Sequence, residues 1–136
     1  MSDFRCATQL LALAIAMVPI ACGDPATMAP PSGRQLESIT VSPATADAQG
    51  QAVQFTATGH WSAAPLTTTP QPAQWGACQN NAATTGVTVS SSGTAQCASG
   101  AKGAYTVFAF DPTNCNAITV CGGGCTILGT AQLTCP

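Results

Sequence analysis

Cysteine is the residue of this chain with the most chemistry to offer, and its eight copies fall into two groups. Cys6 and Cys22 lie in an apolar N-terminal segment, while Cys78, Cys97, Cys115, Cys121, Cys125 and Cys135 occupy the last 60 or so residues. Thiols can pair as disulfides, hold a metal or exchange electrons. Thiolate metal sites usually repeat a close Cys pair or add histidine. Here Cys121-Gly-Gly-Gly-Cys125 is a single close pair, and the only histidine, His60, is distant in sequence. A redox Cys-x-x-Cys pair at the start of a helix is absent. Six cysteines clustered in a small domain therefore read first as three disulfides, with a Cys-based metal site as the less favoured alternative and redox exchange last.

The remaining inventory points away from catalysis. One histidine and five acidic residues offer no carboxylate pair close in sequence, and no serine sits in a nucleophile-elbow context, so no catalytic site is assigned. No glycine-rich loop precedes a helix, so no cofactor is expected. A net charge of -2 with only Arg5, Arg34 and Lys102 as bases gives no footprint for nucleic acid. Asp111-Pro112-Thr113-Asn114 contains one carboxylate, thin for calcium and ordinary for a turn. His60-Trp61 sits at a loop mouth, where a Trp can stack on a sugar, anchor a protein partner or simply cover the end of a fold.

The elements that must position these residues begin with the N-terminal segment. Leu10–Val18 is apolar and uncharged. It is shorter than the roughly 20 residues a membrane span requires and has the length of a signal-peptide core. It ends at Pro19-Ile20-Ala21-Cys22-Gly23, a small residue followed by Cys, which resembles the lipobox of bacterial lipoproteins. The resemblance implies acylation of Cys22, whose acyl methylenes at about 0.8 kcal/mol each would hold the protein to a membrane. An ordinary signal peptide cut near Ala21 and an uncleaved anchor are the alternatives; plain secretion would leave seven cysteines and one unpaired. Gly23 after the lipidated Cys implies, by that family's sorting rule, the outer membrane, with secretion or the periplasm as the alternative. Residues 1–21 are thus read as the signal, and 22–35, rich in proline and glycine, as a tether.

From Leu36 onward the pattern has a period of two. Ile39 and Val41 share one face of a first strand that Pro43 ends; Val53, Phe55 and Ala57 share a face of a second. Trp75 marks a third, Val87 and Val89 a fourth, Ala95 and Cys97 a fifth. In Gly103–Phe110, Tyr105, Val107 and Ala109 point one way while Phe108 and Phe110 point the other, so both faces must be covered. Ala131, Leu133 and Cys135 share a face of the last strand. Seven short strands in about 100 residues predict an all-β sandwich, small enough to depend on staples.

The stretch LESITVSPATADAQGQAVQFTATG, the single core Trp, Trp75, the hairpin GVTVSSSGTAQC and the strand GAYTVFAF resemble, in that order, the group 2 bacterial immunoglobulin-like (Ig-like) domains of surface proteins. The resemblance covers roughly 36–109, with 129–134 as the final strand, and implies a non-enzymatic cell-envelope role, structural or adhesive, toward an envelope protein or glycan. A surface carbohydrate-binding module on the same scaffold is the alternative. Tyr105 resembles the tyrosine corner of such sandwiches, or is a plain core aromatic. The family lacks these cysteines and the long 111–126 connection. With the family's strand order, Cys78, Cys97 and Cys135 lie at one end and Cys115, Cys121 and Cys125 in a loop at the other. Three bridges then require the insertion to fold down along a sheet, covering Phe108 and Phe110. Cys78–Cys97 is the pairing expected on that layout.

Overall fold

The computed structural model describes residues 33–113, 115 and 120–136. The signal segment, Cys22 and most of the tether lie outside the described residues. Eleven strands are present among those described: β1 (Leu36–Ser42), β2 (Thr45–Asp47), β3 (Val53–Gln54), β4 (Thr56–Trp61), β5 (Thr67–Thr68), β6 (Gln74–Gln79), β7 (Ala82–Ala83), β8 (Val87–Val89), β9 (Thr94–Cys97), β10 (Gly103–Phe110) and β11 (Leu128–Cys135). One 3-10 turn, Val120–Gly122, lies in the insertion.

The strands form a β-sandwich. One layer holds β1-β4-β5 and β3-β9-β8, which join because β3 and β4 are one strand interrupted at Phe55. The other layer is five-stranded, in the order β2-β11-β10-β6-β7. The chain leaves the first layer after Ser42, passes Pro43 and enters the second as β2, parallel to β11. Every other strand pairing is antiparallel. Asn80 and Asn81, both at positive φ, make the two-residue turn between β6 and β7, a geometry Asn tolerates and strand twist favours.

The expected alternation is seen residue by residue. Ile39, Val41, Phe55, Ala57 and Ala95 from one layer meet Tyr105, Val107, Ala109, Ala131 and Leu133 from the other in a single core. Phe55, Val107 and Leu133 are completely buried. Tyr105 is a buried core residue whose hydroxyl lies over Gly86. The layers come close where Gly129 of β11 faces the Ile39 carbonyl, a spot with no room for a Cβ.

Phe108 and Phe110 point out of the second layer and are nonetheless buried, at 7% and 2% exposed. With Cys78 and Val120 they form a second, smaller core, packed by Cys115, Cys121, Cys125 and Leu128. The insertion therefore folds down over the sheet as its two apolar faces require. Fully burying a Phe stabilises by roughly 1.5–3 kcal/mol, which is the drive for this cover.

Candidate functional site

All six cysteines of the domain are paired: Cys78–Cys121, Cys97–Cys135 and Cys115–Cys125. The expected Cys78–Cys97 bridge is corrected by this pattern, and the reason is strand parity. Cys78 stands opposite Thr106 in the β6–β10 register, on the same outer face as Phe108 and Phe110. Its neighbour Ala77, opposite Val107, faces the core. Cys97 and Cys135 both lean on the core, from opposite layers, and join across it with Cα atoms 5.9 Å apart. Cys78 on the outer face can meet only the insertion, and Cys121 reaches it at a Cα separation of 5.7 Å. To do so the chain descends from Phe110 to the level of Thr106, about 13 Å along β10. Cys115–Cys125 closes the insertion on itself, with Cα atoms 4.9 Å apart.

In the loop-closure picture of disulfide stabilisation, bridges spanning 43 and 38 residues contribute about 4 kcal/mol each and the ten-residue bridge nearly 3. Such bonds belong to an oxidising, exported compartment. Among the described residues, no group of three or more His, Cys, Asp or Glu side chains could hold a metal ion, and no helix is long and apolar enough to cross a membrane. The Asp111 carboxylate accepts hydrogen bonds from the Thr113 N–H and hydroxyl at 2.8 and 2.7 Å, which makes a turn of this stretch as far as it is described.

His60 and Trp61 are adjacent in β4 and therefore face opposite ways. The His60 ring pairs with the Thr40 hydroxyl across β1 at 3.1 Å, on the outer surface. Trp61 packs on the main core. The Arg34 guanidinium lies over its ring, 4.1 Å from the centroid. Arg34 also donates from Nε to the Ala63 carbonyl at 3.2 Å and from Nη2 to the Pro65 carbonyl and the Thr68 hydroxyl. Arg34 is thus clasped to the 62–68 loop, and the Trp61 indole is engaged by the core and by the guanidinium. The Trp61 Nε1 is buried and finds no acceptor among the described residues.

The 62–72 loop has its open surface further along, toward Trp75. A groove of about 630 Å³ lies between 54–57, 70–75 and the Ser91-Ser92 turn, within the range of roughly 300–1,000 Å³ common for ligand pockets. Trp75 is half-buried: it packs against the core and also lines the groove. Pro70 and Pro72 flank it, exposed, and no charged residue contributes to the lining. The walls are fixed locally. The Gln54 amide donates to the Phe55 and Ser92 carbonyls and accepts from the Thr94 hydroxyl. Gly93, at φ +85, brings the serine turn against Trp75; a Cβ there would collide with the Phe55 carbonyl and lie 2.9 Å from the indole. On the opposite wall the Gln71 N–H donates to the Ala57 carbonyl at 2.8 Å. Gln71 is 9% exposed, and its Oε1, tucked over Gly59, accepts no hydrogen bond among the described residues. A buried unpaired carbonyl of this kind costs about 1–3 kcal/mol. The groove was not expected from sequence, where Trp75 reads as a core residue. A second, smaller cleft of about 270 Å³ lies under the insertion, against Phe108, Val120 and Cys121. No protein-family model matches the chain, and no curated protein shows significant similarity to it.

Proposed function

We propose that this protein is a non-enzymatic, lipid-anchored bacterial cell-envelope protein related to the group 2 Ig-like domains, with a structural or adhesive role. The observation that carries this reading is the cysteine pattern. Disulfides account for six of the eight cysteines, and the two others are Cys6 and Cys22, inside and at the end of the apolar leader. Parity then leaves Cys22 to lipid once the leader is removed. The Pro/Gly-rich tether supports the reading, since it would hold a compact sandwich off the membrane, and the rule after Cys22 favours the outer membrane.

Intact mass of the exported protein tests it. The expected result is loss of residues 1–21, a diacyl or triacyl addition at Cys22, and a gain of about six daltons on reduction, two hydrogens for each of three bonds. Membrane association should vanish in Cys22→Ser. An unacylated Cys22 in a protein still bound to membranes would sink the anchor; a reduced native domain would sink the compartment.

A further inference from the structure

We infer that the groove at Trp75 is a binding site for a neutral glycan. This deepens the adhesive reading and relies on it only for an exported protein that meets glycans.

Three observations point to that ligand. The lining carries no charge, so neither an acidic nor a basic ligand gains attraction there. Its flat surfaces are the Trp75 indole and the rings of Pro70 and Pro72, which suit the C–H face of a sugar ring. Its polar groups are amides and hydroxyls, the groups that bond sugar hydroxyls. Of these, the Gln71 amide is already set in place, its Nε2 donating to the Pro72 carbonyl at 3.3 Å and its buried Oε1 lying over Gly59. Ser91 is exposed at the rim.

The walls need little ordering on binding, because the Gln54 amide and the Gln71 N–H already tie them to the sheet. An extended peptide is less well served. The β4 edge beside the groove is taken by β5 and by the Gln71 bond to Ala57, where an added strand would form its ladder. The smaller cleft under the insertion falls just below the usual size range for a ligand site.

The test is calorimetric titration of the full-length exported protein in detergent micelles. The probes are neutral gluco-, manno- and galacto-oligosaccharides of four to six units, with oligogalacturonate as the acidic control. At least one neutral series should saturate. Trp75→Phe and Pro72→Ala should each weaken it by about ten-fold or more, while Trp61→Phe leaves it unchanged. Pro72 is exposed, so its variant keeps the test sharp even if Trp75→Phe disturbs the core. The site is overturned if no neutral series binds at millimolar concentration, or if binding survives both groove variants. It is equally overturned if oligogalacturonate binds as well, or if a peptide of residues 23–32 occupies the groove instead. None of these outcomes alters the mass-spectrometric test of the anchor.

Discussion

Arg34 does at one residue what a short tether cannot do by length: it fixes where the chain enters the domain. Its guanidinium lies over Trp61 and bonds to the 62–68 loop. A partly exposed cation–π contact contributes about 0.5–1 kcal/mol, and the hydrogen bonds add to it. Arg34→Ala should therefore lower stability by about 1–2 kcal/mol in urea unfolding and shift Trp emission to the red as the ring is uncovered. Arg34→Lys should fall between, since it keeps the charge and loses the planar fork. Gly93 is the second telling residue. Its φ of +85 and the nearby Phe55 carbonyl leave no place for a methyl group, so Gly93→Ala should cost more than about 1 kcal/mol. Urea denaturation is the check, and an unchanged midpoint would contradict the packing described. The cysteine partners were within reach of the sequence at this scale. Ala95 with Cys97, and Ala131 with Leu133 and Cys135, share faces by simple alternation, and both sets face the core. Applied to Trp75, Ala77 and Cys78, the same rule places Cys78 outside and excludes Cys97 as its partner.

Among the elements, the long strands were legible because burial on one face forces a period of two. β10 was read in full, including the need for something to cover Phe108 and Phe110. β2, β5 and β7 were not, because edge pieces of two or three residues carry no alternation to read. The groove was hidden for another reason: it is assembled from three segments far apart in sequence, and its Trp also serves the core. The insertion is an element that the sheet holds by one covalent point. In the double variant Cys78→Ala/Cys121→Ala, the small core over Phe108 and Phe110 should loosen while the main sandwich persists. Binding of a hydrophobic dye should rise, and stability should fall by about 4 kcal/mol. A variant that unfolds like wild type and binds no dye would mean the insertion is held by packing alone.

At the scale of the whole molecule, the three bridges together are comparable to the roughly 5–15 kcal/mol of net stability usual for a domain. Reductant should therefore remove the cooperative unfolding transition in near-ultraviolet circular dichroism at 37 °C. A fully reduced domain that keeps its transition would show the bridges to be dispensable. The surface is as sparsely charged as the sequence, with 6% charged residues, so little repulsion separates copies. Light scattering should show self-association strengthening as the pH falls into the carboxylate range, about 4 to 5, where the few acidic groups neutralise and the net charge approaches zero.

The two longer bridges also interlock: Cys97 falls between Cys78 and Cys121, and Cys121 falls between Cys97 and Cys135. If the chain is anchored at Cys22, as proposed, and held at its C-terminal end, it is loaded in tension. When it is pulled, β1 to β5 can peel away and lengthen, up to Cys78. Beyond that point the crossed bonds shorten the path force can take, and most of the second half stays knitted however hard it is drawn. The domain would behave as a shock absorber with a hard stop, its compliance confined to the part before Cys78.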